Sequence, residues 1–191
     1  MNVDPATTAS WVSQRLRDNG IEPIHAPDPC ALHKAIKNET ALNGSREAHK
    51  RDGAALTRFL AWLAHEAPRR EIDELIAAEQ LATFRAENEL IQSLSFNTIS
   101  GAGPNGAIVH YRATPATNRR LEPGQLILVD SGAQYLDGTT DVTRTIAIGT
   151  PTDEMRDRFT RVLRGHIAIA TCRFPAGTTL SLIHISAPTR P

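Results

Sequence analysis

An α+β fold is what this 191-residue sequence predicts, and two observations predict it. Apolar residues recur at helical spacing through the first half, and after Asn88 they fall into short runs split by turn residues. Helices first and strands after, in segregated runs, indicate an α+β unit instead of an alternating α/β one. The composition, 40% hydrophobic and 22% charged, is that of a globular chain able to bury one core. Lysine and arginine number 21 against 21 acidic residues, so no net field recruits nucleic acid or an anionic membrane. The opening Met-Asn-Val-Asp-Pro lacks the order of a signal peptide, and no apolar run approaches the ~20 residues of a bilayer span. A cytoplasmic location is the default expectation. Cys30 and Cys172 are far apart, sit in no Cys-x-x-Cys pattern, and read as reduced thiols.

The first element is an amphipathic helix over Thr8 to Asn19, with Trp11, Val12 and Leu16 apolar and Gly20 placed to stop it. Ile21 to Pro29 carries three prolines and is expected to be an irregular link. A domain boundary is placed near Asn43-Gly44, with Ser45 as N-cap of a helix reaching Glu66 and Leu56, Phe59, Leu60 and Leu63 as its buried stripe. Pro68 separates it from a second helix, Glu71 to Asn88, whose leading Glu71, Asp73 and Glu74 suit a helix N-terminus. Strands are expected at Phe96 to Ser100, Ala107 to Tyr111, Leu126 to Val129 and Val142 to Ile148. A last helix from Asp153 to about Arg173 would bury Met155, Phe159, Val162, Leu163 and His166 on one face.

Asp137-Gly138 favours a tight reversal, making a hairpin that carries Asp130 and Asp141. A reversal centred there pairs Asp130 with Thr145 and leaves Asp141 on the same face, more than ~10 Å away at ~3.3 Å per residue. Reaching two metals ~3.5 to 4 Å apart would then require a wider loop or bulge. Spacing alone leaves two readings open: half of a two-metal hydrolytic site, or two aspartates that end strands beside turns. Asp137 to Asp141 lacks the acidic alternation and terminal glutamate of an EF-hand. Gly101-Ala-Gly-Pro-Asn-Gly106 fits a dinucleotide-binding pattern, but Pro104 removes a donor and a strand, not a helix, is expected behind it. Those glycines read as a loop of close backbone approach.

The run Leu128-Val-Asp-Ser-Gly-Ala-Gln-Tyr-Leu-Asp-Gly-Thr-Thr-Asp-Val-Thr-Arg-Thr145 resembles the metal-site hairpin of the Xaa-Pro aminopeptidases, the aminopeptidase P members of the pita-bread metallopeptidases. Lys34 to Asn38, Glu47-Ala-His-Lys-Arg-Asp-Gly53 and Gly103-Pro-Asn-Gly-Ala-Ile-Val-His-Tyr111 extend the resemblance to about Thr179. It implies the amino-terminal half of a pita-bread fold over residues 44–179, with 1–43 the remnant of a preceding domain and linker. It also implies that Asp130 binds one metal and Asp141 bridges two divalent ions, usually manganese, an assignment compatible with oxygen-rich ligation. His110 would contact substrate near the scissile bond, where an imidazole can hydrogen-bond the amide or hand a proton to its leaving nitrogen. The substrates would be peptides with proline in second position, and the complete protein a homodimer.

The later ligands of that family, a histidine in a glycine-rich loop and two glutamates, have no counterpart here, and His184 in Leu182-Ile-His-Ile-Ser186 shares none of that context. His166, on a helix's apolar face, reads as a packed core residue. From Leu180 the sequence departs abruptly and resembles translated sequencing-adapter read-through, so 180–191 is expected to be a non-native tail. The expectation is a fragment of a metallo-aminopeptidase, inactive when expressed alone and exposing strand edges that its missing half should pair. Two alternatives stand beside it: a pita-bread module that binds peptides or histones without catalysis, and a dipeptidase of the prolidase type.

Overall fold

The computed structural model describes residues 1–175 and Thr178, and the expected tail with His184 lies outside them. At the amino end β1 (Asn2–Val3) pairs in parallel with β2 (Ile24–His25), and α1 (Ser10–Asp18) lies between them. Gly20 takes φ +74° and ends α1, as its position predicts. The Pro-rich link is more ordered than expected. It contributes β2, and Pro29 opens α2 (Pro29–Ala35) under an Asp28 cap that accepts from the Cys30 N–H at 2.8 Å. In the first helical turn the donor that proline lacks has no intrahelical partner anyway.

The long helix α3 (Glu39–Glu66) starts six residues before Ser45; its cap is Asn38, whose side chain accepts from the Ala41 N–H at 2.9 Å. Asn43 and Gly44 therefore lie inside a helix. Gly44 is there for clearance, because a Cβ at that position would overlap the Asp137 carbonyl. The second long helix, α4 (Glu74–Ala86), is capped by Asp73, which accepts from the Ile76 N–H at 2.8 Å. The buried stripe of α3 is Ala48, Asp52, Ala55, Leu56, Phe59 and Leu63; that of α4 is Glu74, Ala77, Leu81 and Arg85. Both stripes keep helical spacing, and both contain charge.

Six strands follow: β3 (Ile91–Leu94), β4 (Ile99–Ala102), β5 (Leu126–Ser131), β6 (Ala133–Tyr135), β7 (Gly138–Thr139) and β8 (Val142–Ala147). They form two antiparallel sheets, β4-β5-β8 and β3-β6-β7. On β5 the alternation is clean: Ile127, Val129 and Ser131 are buried, while Leu126, Leu128 and Asp130 take the other face. Ile127 and Val129 join Leu56, Phe59, Leu63, Ile72, Ala77 and Leu81 in the main core, so α3 and α4 cover one face of this sheet. Removing a ring such as Phe59, wholly buried there, costs about 3–5 kcal/mol. The short β3, β6 and β7 escape sequence reading because two to four residues do not set a period.

Two expectations are corrected. Ala107 to Tyr111 is not a strand: Gly103–Ala107 is a 3₁₀ turn and an irregular loop follows. The polar Asn105 and Tyr111, and not the apolar Ile108 and Val109, turn inward and are buried. The helix α5 (Asp153–Thr171), capped by Thr152, leaves Phe159 (51%), Val162 (73%) and Leu163 (45%) exposed, and His166 is exposed with them. His166 is thus no core residue, since among the described residues no sheet or long helix packs closely over that face.

Candidate functional site

In the hairpin, β5 pairs Asp130 with Thr143 and Ser131 with Val142, while β6 pairs Tyr135 with Gly138. The reversal is therefore centred on Leu136-Asp137, and Asp130 faces Thr143 instead of the expected Thr145. Asp141 then lies two residues from the residue opposite Asp130, not four. Diagonal neighbours on one face of an antiparallel pair are about 7–8 Å apart, within reach of two carboxylates converging on a shared pair of ions. No bulge is needed, because the same register continues through Gln134 and Thr139 beyond the break.

That break has a local cause. The ladder of β5 and β8 stops at Ser131 and Val142, and β6 and β7 belong to the other sheet. Gly132 sits at the transfer, where a Cβ would overlap both the Thr140 carbonyl and the Ser95 hydroxyl. Ser95 staples the crossing: its N–H donates to the Gly132 carbonyl at 3.1 Å and its hydroxyl to the Thr140 carbonyl at 3.1 Å. Asp141 follows Thr140 directly and stands freed from the ladder. Asp141 is exposed and makes no side-chain hydrogen bond among the described residues; Asp130 is half-buried and accepts from the Thr143 hydroxyl at 2.9 Å. Each carboxylate thus keeps free lone pairs, and a hard divalent ion prefers such oxygen donors. The pair fits as part of a metal site, although no cluster of three ligand-type side chains occurs among the described residues.

His110 lies in the loop after the 3₁₀ turn and is exposed. It takes φ +54°, the left-handed region, and is the one non-glycine to do so among the described residues. Histidine tolerates that conformation better than most side chains, but it persists only where the surroundings impose it. The turn leading to it crosses the sheet face that carries Leu128 and Asp130: a Cβ on Gly106 would rest 3.5 Å from the Leu128 Cβ, and one on Gly101 would press into Gly106 at 2.8 Å. Close backbone approach is thus what these glycines provide, and the approach is to the chain itself.

Sequence reasoning missed two buried polar clusters around these elements. In one, both oxygens of Glu74 accept two hydrogen bonds each: Oε1 from the Ala102 N–H and Asn105 Nδ2, both at 2.8 Å, and Oε2 from the Tyr111 hydroxyl at 2.7 Å and the Arg119 N–H at 3.1 Å. Burial above all, with the Glu74 carboxylate adding to it, raises the Tyr111 hydroxyl above its ordinary pKa, so it stays a donor. In the other, Asp52 receives Arg85 in a two-pronged pair at 2.7 and 2.9 Å and the Tyr135 hydroxyl at 2.9 Å. Arg51 pairs with Asp137 at the hairpin tip and lies over the Tyr135 ring. The available signal was charge inside an apolar stripe: Asp52 and Arg85 occupy core positions of their helices, as does Glu74.

Comparison with known proteins shows the family of the chain. The sequence profile of metallopeptidase family M24 matches residues 43–189. The chain belongs to that family. Within the family its relatives include "Probable Xaa-Pro aminopeptidase P" from Laccaria bicolor, 55% identical over 152 residues (79% of this chain, 24% of the relative), and its namesake from Neurospora crassa, 51% identical over 173 residues (90% and 25%). The chain thus spans about a quarter of the length of the curated relatives it matches. The X-prolyl aminopeptidase of Caenorhabditis elegans, described as a cytosolic enzyme with a di-nuclear active site, matches with TM-score 0.78 and 32% identity, covering 91% of this chain and 32% of that one. A prolidase from Pyrococcus furiosus, at 22% identity and TM-score 0.71, shares the fold over 86% of this chain and 46% of its own. The expected α+β, partial pita-bread architecture is therefore established. No helix among the described residues is long and apolar enough to cross a membrane.

Proposed function

We propose that this M24 chain supplies the first ligands and a substrate-contacting histidine of a cytosolic Xaa-Pro aminopeptidase, which hydrolyses the first peptide bond of peptides with proline in second position. The observation that carries the reading is the register of β5 against β8. It pairs Asp130 with Thr143, and that register continued one residue past Val142 supports a diagonal relation between Asp130 and Asp141, in a chain 55% identical over 152 residues to a protein named "Probable Xaa-Pro aminopeptidase P". Two divalent ions, manganese by the family resemblance and compatible with oxygen-rich ligation, would supply Lewis acidity to the peptide carbonyl and lower the pKa of a bound water.

Asp130, oriented by the Thr143 hydroxyl, and Asp141 would be the residues of this chain that hold the ions. His110, exposed on its loop, would hydrogen-bond the scissile amide or, in its protonated form, hand a proton to the departing nitrogen. The remaining ligands belong to the rest of the longer protein, which this reading takes to be a homodimer. Domain division follows the same reading, with 1–43 the end of a preceding unit, 44–179 the first half of the catalytic domain and 180–191 a non-native tail, although the first of these boundaries falls inside α3.

The test is metal content and turnover in the longer protein. Asp130→Asn and Asp141→Asn should each lower bound metal from two ions per chain to one or fewer, with turnover of an Xaa-Pro peptide falling on the order of 10²-fold or more. Two retained ions and unchanged turnover in both variants would refute the assignment.

A further inference from the structure

We propose that Glu74, at the buried start of α4, is the positioning residue that fixes the His110 loop. The inference rests on the reading of His110 as the group that meets substrate. Four segments converge on this one carboxylate: the end of β4 through Ala102, the 3₁₀ turn through Asn105, the residue after His110 through Tyr111, and the return of the loop through Arg119. Every partner is a donor, and an ionised carboxylate is a side chain with acceptors only, enough of them for all four. The loop it holds has no ladder of its own, while Ile108, Val109 and His110 at its tip are exposed. What keeps His110 in the left-handed region is therefore the anchoring of its neighbour Tyr111, buried at 7% exposure, against Glu74 and Asn105.

The anchoring is also specific to charge state and length. A glutamine at 74 would turn an amide N–H toward donors at one of the two oxygen positions, leaving buried groups unmet. An aspartate would draw the acceptors back by about one methylene. Glu74 is wholly buried and its hydrogen bonds go to the loop and its flanks, not to Asp130 or Asp141; its influence passes through the loop.

The experiment is a double-mutant cycle in the longer protein, with Glu74→Gln, His110→Ala and the pair, read by kcat and KM on an Xaa-Pro peptide and by trypsin cleavage after the exposed Arg112. Glu74→Gln should lower kcat roughly 10- to 100-fold with His110 present, and change it by less than about twofold once His110 is gone. Cleavage after Arg112 should accelerate. Equal losses of kcat in both backgrounds, or unchanged cleavage, would overturn the proposal, because a general loss of stability acts without regard to His110. If Glu74→Gln does not accumulate as folded protein, Tyr111→Phe, which removes one of the four donors, takes its place with the same expected and overturning results. If His110→Ala alone leaves kcat intact, the catalytic reading of His110 fails, and the rate of cleavage after Arg112 still decides whether Glu74 fixes the loop.

Discussion

Gly132 shows how much a single residue decides in the hairpin. It directly follows Ser131, where the β5 ladder ends, lies opposite Asp141 in the continued register, and leaves no room for a side chain against Thr140 and Ser95. Gly132→Ala must push the Thr140 carbonyl away, and overpacking of this kind costs about 1–3 kcal/mol. The loss should appear in urea unfolding of the protein, and in the longer enzyme metal affinity should fall with it, since Asp141 follows Thr140 directly. An alanine variant with wild-type stability and metal affinity would show that the crossing has slack. From sequence, Gly132 was one glycine beside two aspartates. Its meaning depends on Ser95, thirty-odd residues upstream, whose hydroxyl occupies the space a side chain would take.

Between elements, the joint of α3, α4 and β6 depends on charge. Asp52 is 2% exposed and Arg85 wholly buried, and the Tyr135 hydroxyl completes the carboxylate's shell. Removing one partner of such a pair leaves the other charge buried alone, at a cost of about 3–5 kcal/mol. Asp52→Asn should therefore destabilise strongly in urea unfolding, whereas replacing Asp52 and Arg85 together by apolar residues of similar volume should recover much of the loss. If both variants behave alike, the pair contributes shape and not charge. The apolar half of these helices was legible: Leu56, Phe59 and Leu63 sit where their spacing predicts. Their charged members read as solvated because a stripe identifies a buried face without naming the partner that makes burial of an aspartate tolerable.

Across the whole molecule, the two tyrosines share one design. Tyr111 and Tyr135 are the full complement of tyrosines, each is buried, and each donates to a buried carboxylate. Burial first, and the Glu74 or Asp52 carboxylate after it, raises both above the ordinary phenol value of ~10. The folded chain therefore keeps protons that the unfolded chain releases, so stability is fully present below pH ~10 and falls as pH rises beyond it. Unfolding midpoints measured from pH 8 to 11 should decline, and the decline should be shallower in Tyr135→Phe. A flat or rising profile would contradict the buried-donor arrangement.

At that scale the division between sequence and tertiary structure is physical. Periodicity, caps and turn residues report on neighbours a few positions away, and they determined the α+β order, the long helices and the β5–β8 hairpin that carries Asp130. They misplaced the loop of His110, because Asn105 and Tyr111 answer to Glu74 across 31 and 37 positions of sequence. They missed the register by two residues, because the hairpin tip is seated against α3 through Gly44, Gly138 and the Arg51–Asp137 pair, 86 positions apart. Local sequence chose the elements; contacts between segments far apart in the chain, which no local period encodes, decided the register of the hairpin and the course of the loop that carries His110.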